Sequence, residues 1–301
     1  MQIPKISLGS WAFSFGPFES DPWPFSKLIK YTAEADYDGV EINGFRPHPH
    51  PDDYGTKEKC EELKNTISDF GLGISGYAPD FREVPPAEVE ESSYLSEVEK
   101  CLRFCNHMDT SILRVDTVSP PKVYSEEEYE GRFKLLASNW RAAAELCQKS
   151  GVLMVWEFEP GFWLNSPVEI KRILEAVGHD NFQALFDTSH AYMVSIEGAR
   201  QTGVKETLPG GVVELSQLLE KHIGHFHLID SDGSLHNDET STHTPFGQGY
   251  INFEDVLRNM EPALKTLEWW TVDFCFCPTT EKDAKDAVPF IKNVISEISR
   301  D

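Results

Sequence analysis

Eight times along the chain a short apolar run is followed by an amphipathic stretch, and few folds accommodate that order. The apolar runs are KISLGSWAF (5–13), GVEINGF (39–45), LGISGYA (72–78), SILRVDTV (111–118), VLMVWEFE (152–159), FQALFDTS (182–189), HFHLID (225–230) and EWWTVDFCF (268–276). Helical patterns occupy 25–36, 56–70, 94–108, 129–150, 166–177, 210–222, 252–264 and 281–300. In the fourth of these, Phe133, Leu136, Trp140, Ala143, Ala144 and Cys147 recur at three- and four-residue spacing and make one apolar face. Gly39, Gly71, Gly151 and Gly224 fall where a helix gives way to the next strand, the place of a left-handed C-terminal cap. With no long low-complexity linker, this order predicts one domain over residues 1–301, an α/β fold built as a single (β/α)8 TIM barrel. A doubly wound open sheet is the competitor. It would want a glycine-rich first turn of dinucleotide type, which GSWAFSFGPFE does not supply.

Composition narrows the partners. Fifty acidic residues against 27 basic ones give a formal charge of −23, and such a surface repels a phosphate backbone. Nucleic acid is therefore not an expected partner. No apolar run approaches the ~20 residues of a membrane helix, so no membrane partner is expected either. The opening MQIPKISLGSWAF lacks a basic segment, an apolar core and a small-residue cleavage site, so no signal peptide is expected. Six scattered cysteines (Cys60, Cys101, Cys105, Cys147, Cys275 and Cys277) read as reduced core thiols of a cytoplasmic protein.

The polar residues at the strand ends carry the chemistry. Strand five ends VWEFEPG, strand six LFDTSH, strand seven HFHLID and strand eight TVDFC, which brings Glu157, Asp187, His227 and Asp273 to one rim. A carboxylate at a strand end often only caps a helix, and a lone strand histidine is often a satisfied core residue. Four such residues on successive strands are different. Three carboxylates that close must take up protons unless a cation sits among them. One imidazole with three carboxylates suits a divalent metal: manganese first, with magnesium, cobalt or zinc as alternatives. Open coordination positions would make it a Lewis-acid site rather than a closed structural one.

These residues resemble the xylose-isomerase-like barrels, the sugar isomerases and epimerases that include tagatose and psicose 3-epimerases, inosose dehydratase and the endonuclease IV group. The resemblance rests on Glu157 six residues after Gly151, on DTSH from Asp187 to His190, and on HFH with His227 as its second histidine. The segment HTPFGQGYINFEDVL (243–257) is similar to the family's glycine-containing loop before helix seven. Two departures stand out. Strand eight carries Asp273 where the epimerases have a Glu that is both ligand and acid/base. Gly233 stands where they place a substrate-gripping arginine.

The resemblance implies a small carbohydrate substrate and a homo-oligomer of paired barrels. Glu157 is the expected base, removing a proton beside a carbonyl so that an enediolate forms, with Asp273 and His190 as further catalytic candidates. Returning the proton elsewhere gives an isomerase or epimerase. Expelling a β-leaving group gives a lyase, acting by dehydration of a cyclitol ketone or elimination from a 3-oxo-glycoside, and the ligand set does not choose between them. His190, Arg114, Glu41, His243 and His48 are the expected substrate contacts. For His190 the alternative is a supporting partner of the metal carboxylates, and for Arg114 an ion pair with Glu41 or Asp116. Glu159 is the runner-up ligand, and His225 is expected to pack or support rather than ligate.

Overall fold

The computed structural model describes residues 3–118, 124–201, 203–237 and 240–300. Eight parallel strands close into a barrel: β1 (Lys5–Gly9), β2 (Gly39–Asn43), β3 (Gly73–Ala78), β4 (Ile112–Val115), β5 (Leu153–Glu157), β6 (Phe182–Asp187), β7 (Ile223–Leu228) and β10 (Trp269–Val272). The circuit runs β1, β10, β7, β6, β5, β4, β3, β2, so neighbours in sequence are neighbours in space and β10 closes on β1. Among the described residues, eight longer helices surround it: α1 (Phe25–Glu34), α2 (Lys57–Ser68), α3 (Glu91–Met108), α4 (Glu126–Lys149), α5 (Pro167–Val177), α7 (Gly211–Leu219), α8 (Phe253–Leu264) and α9 (Thr280–Ile298). The single (β/α)8 barrel expected from the alternation is the observed fold.

Local chemistry explains where the elements begin. Ser125 and Glu128 form a reciprocal capping box at α4, and Ser166 and Glu169 form another at α5, satisfying donors that a helix start leaves free. The apolar face of α4 is buried as the spacing predicts, and Trp140 packs 5.5 Å from the Trp156 ring and 5.2 Å from Phe182. Each such side chain contributes roughly 1.5–3 kcal/mol by leaving water. Gly71 and Gly151 adopt the left-handed conformation expected of caps. Gly39 and Gly224 do not. Gly39 is there because an added Cβ would stand 2.6 Å from the Trp269 ring.

The strands are shorter than their apolar runs because the chain turns sharply at the upper rim. After β1 the run bends into a 3-10 turn, Ser10–Phe13, which swings Trp11 over the barrel mouth. After β6 a short helix, α6 (Thr188–Tyr192), starts at once. The segment after β7 is not a plain loop. It holds an antiparallel hairpin, β8 (Asp230–His236) and β9 (Thr240–Thr244). Its base is fixed by Asp230, a buried carboxylate that accepts backbone N–H groups from Ser231 and Ile251 on Oδ1 and from Gly247 and Gly249 on Oδ2, all at 2.9–3.0 Å. Gly249 comes so close that a Cβ would lie 2.4 Å from Asp230 Oδ1. No helix among the described residues is long and apolar enough to cross a membrane.

Replacing Asp230 with Ala leaves four backbone donors at the hairpin base without their acceptor. The expected loss is about 3 kcal/mol or more of unfolding free energy, read from urea midpoints. A change below ~0.5 kcal/mol would show that the carboxylate does not hold this loop.

Candidate metal centre

Each of the four expected ligands is anchored at one atom and turns another toward the rest of the set. Asp187 ends β6 and caps α6, accepting the His190 backbone N–H on Oδ1 at 2.8 Å. Its Oδ2 is buried and has no partner. Asp273, one residue past β10, accepts Trp11 Nε1–H at 2.7 Å and the Cys275 N–H at 2.8 Å on Oδ1, while Oδ2 lies 3.6 Å from His227 Nδ1. Glu157 accepts Arg114 Nε–H on Oε2 at 2.6 Å and leaves Oε1 3.1 Å from His227 Nδ1. The four side chains are at most 4% exposed, and each offers an atom within 4.8 Å of the others.

The floor beneath fixes the imidazole. Glu41 on β2 is fully buried, and its Oε2 accepts from His225 Nε2 at 2.7 Å, His227 Nε2 at 3.1 Å and Thr271 Oγ1 at 2.6 Å. Burial alone would raise the Glu41 pKa, but the two histidines hold it well below the usual range. With Nε2 of His227 committed as donor, Nδ1 is left to face the carboxylates, the arrangement that orients metal-bound histidines.

Burial and the charges of Asp273 and Glu157 push the Asp187 carboxyl up to about 7, against the pull of His243. His227 is raised well above its ordinary value despite burial, because Glu41 and Glu157 face it. A divalent cation among these carboxylates would favour their ionised forms. Three buried carboxylates, one correctly oriented imidazole and an unpartnered Asp187 Oδ2 together fit a divalent cation of oxygen-preferring or intermediate character.

Above the cluster lies a cavity of about 170 Å³, lined in part by Trp11, Phe15, Phe45, Phe162 and Phe276. This is below the ~300–1,000 Å³ of drug-sized pockets and suits a small molecule. Arg114 on β4 lines one wall, donating to Glu157, to Asp116 Oδ2 at 2.6 Å and to Glu159 Oε1 at 3.2 Å. Glu159 accepts the Thr240 hydroxyl at 2.6 Å, and burial with the neighbouring Glu157 charge pushes its carboxyl up to about 8. Glu157 itself, which burial would raise, is held at about 2 by Arg114 and His227. His190 Nδ1 bonds Ser241 Oγ at 2.7 Å, Nε2 lies 3.4 Å from Glu159 Oε2, and burial lowers the ring to about 3, so it is neutral. His243 Nδ1 lies 3.0 Å from Asp273 Oδ1 but out of line for a hydrogen bond, and both ring nitrogens are unpartnered. The Asp273 charge, working against burial, pushes that ring up to about 9.

The structure thus gathers Glu157, Asp187, His227 and Asp273 into one cluster and brings His190, Arg114 and His243 to the cavity beside it. Glu41 instead sits below the cluster and supports His227. Arg114 pairs with Asp116, as one alternative held, but with Glu157 and Glu159 rather than Glu41. The contributions of Thr240 and Ser241 were missed, because a hairpin of serines and threonines has no apolar alternation to announce it.

A protein-family model described as "Xylose isomerase-like TIM barrel" matches residues 29–294. No curated protein matches the chain. Solved structures do. A D-psicose 3-epimerase determined in the presence of D-fructose aligns at TM-score 0.73 and 14% identity, covering 97% of this chain and 99% of that one. A D-tagatose 3-epimerase-like protein aligns at 0.72 and 18%, with 98% of each chain covered. A probable 3-DHS dehydratase involved in petrobactin synthesis from Bacillus anthracis aligns at 0.70 and 16%, covering 96% and 99%. At these identities the likeness is one of fold.

His48, expected at the substrate, lies away from the cavity lining. It is buried, with Nε2 donating to the Trp23 carbonyl at 3.0 Å and Nδ1 beside Ser10 Oγ at 3.1 Å. Burial lowers its pKa to about 4, opposed by the Trp23 bond. A folded value below the unfolded one near 6.5 means the contribution is complete above pH ~6.5 and is lost as pH falls toward 4. The full loss is on the order of 3 kcal/mol. His48→Gln, which cannot titrate, should lose less stability than the parent between pH 7 and 4.5 in urea melts. Equal losses would refute a neutral, structural His48.

Proposed function

The chain belongs to the xylose isomerase-like TIM barrel family, and from that premise we propose that it is a divalent-metal-dependent epimerase or isomerase of a sugar or keto-sugar. The observation that carries the proposal is the buried set Glu157, Asp187, His227 and Asp273, each with one atom anchored and one turned inward, at the floor of a small cavity. Manganese is the preferred ion, with magnesium, cobalt or zinc as alternatives. The chemistry such a cation supplies is Lewis-acid polarisation of a substrate carbonyl and its neighbouring hydroxyl, which acidifies the C–H between them.

The chain's own residues then divide the proton work. Arg114 keeps Glu157 ionised, so that it is both ligand and acceptor for the carbon-bound proton. Glu159, two residues on, lines the same cavity and keeps a proton near neutral pH. Two carboxyls driven apart in this way form an acid/base pair. Neutral His190, anchored by Ser241, presents Nε2 for a substrate oxygen.

Asp273 is tied down by Trp11 and Cys275, which suits it to ligation rather than to the acid/base role of a free Glu. Proton delivery therefore passes to Glu159, which can protonate a departing β-oxygen as well as a carbon. That favours one second reading, a lyase that dehydrates a cyclitol ketone or eliminates from a 3-oxo-glycoside.

Metal analysis and NMR in deuterated water, over keto-sugars and 3-oxo-glycosides, test both. Asp187→Ala should lose bound manganese and exchange together, and full metal occupancy in that variant would overturn the ligand set. Glu159→Gln should keep its metal and lose roughly 10²–10⁴-fold in exchange rate. Deuterium wash-in without loss of water or aglycone identifies the epimerase; wash-in with loss identifies the lyase.

A further inference from the structure

We propose that this cavity is built for substrates without an anionic group: an uncharged keto-sugar or cyclitol ketone, not a sugar phosphate or a sugar acid. The inference rests on the sugar reading above and goes beyond it by assigning the charge class. It starts from Arg114, the only lysine or arginine among the described lining residues. A guanidinium has five N–H donors and normally recognises carboxylates or phosphates with two of them. Here Nε and Nη2 both reach Glu157 Oε2, Nη2 also reaches Glu159 Oε1, and Nη1 reaches Asp116 Oδ2. Four of its five donor positions are spent on the protein's own carboxylates.

The other basic side chains near the mouth also stand beside carboxylates. His243 faces Asp273 at 3.0 Å. At the rim, Arg46 Nε bonds Asp53 at 2.7 Å, and Arg82, which stands over the Phe45 ring, bonds Asp80 at 2.6 Å. An anionic substituent entering this cavity would give up water for a wall of aromatic rings and carboxylates, Asp116, Glu157, Glu159 and Asp273 among them, and no lysine or arginine of the described lining is left unpaired to receive it. A neutral polyhydroxylated ring meets no such cost, and its C–H faces match Trp11, Phe15, Phe45, Phe162 and Phe276.

The test compares matched pairs with manganese-loaded protein: D-fructose with D-fructose 6-phosphate, and D-glucose with D-glucuronate, each followed by ligand-observed NMR for binding and by deuterium exchange. The neutral member should bind at least roughly 100-fold more tightly, the factor of an unpaired buried charge. Asp116→Asn, which removes the negative charge paired with Arg114 Nη1 and leaves the four expected metal ligands unchanged, should narrow that ratio at least ~10-fold. Equal or tighter binding of the anionic members, no binding by any member, or an unchanged ratio in Asp116→Asn would overturn the proposal. Tight binding of the neutral members without exchange would count against the sugar chemistry alone and leave the charge selectivity standing.

Discussion

Three carboxylates held dry within 4.8 Å of one imidazole is the constraint around which the upper half of this barrel is organised. Left to Coulomb repulsion, such a group would scatter its side chains or fill with protons. It does neither freely, because each member is tethered at its far atom. The α6 N-terminus holds Asp187, Trp11 and the Cys275 amide hold Asp273, Arg114 holds Glu157, and Glu41 holds His227. The tethers come from five different strands or strand ends, so the cluster depends on the barrel being closed.

The same tethering separates the roles of chemically equivalent groups. Glu157 and Glu159 are the same residue type two positions apart, yet one is held near 2 and the other is raised to about 8. Arg114 explains much of the difference, since it bonds Glu157 through Nε and reaches Glu159 only at 3.2 Å. His190 and His243 are similarly split, one neutral by burial and one held cationic by Asp273. A barrel mouth can in this way hold a ligand set and an acid/base pair within a few ångströms.

Much of the site was legible because a polar residue at the end of an apolar run has few reasons to be there. Glu157, Asp187, His227 and Asp273 each close such a run, and the structure brings them into one cluster. Arg114 could be read as inward-pointing, but its partners could not, since they depend on how far each strand is staggered along the barrel wall. Glu41 was placed at the substrate as an inward-facing residue of strand two, and His48 as part of the rim loop that follows it. A rim loop folded inward and a strand entering one layer lower put them elsewhere. The hairpin of β8 and β9 gave no sign, because its strands are polar and are held by Asp230 and by contacts to Glu159 and His190, with no apolar alternation.

Sequence alone determined the fold and the identity of the cluster, because hydrophobic periodicity is local and the barrel is the architecture that closes eight strand–helix units. Tertiary structure decided which atom of each side chain faces inward, which carboxyl keeps its proton, and that Arg114 is already occupied. Those are properties of distance and burial, many of them between residues 43 to 262 positions apart, and no spacing along the chain encodes them.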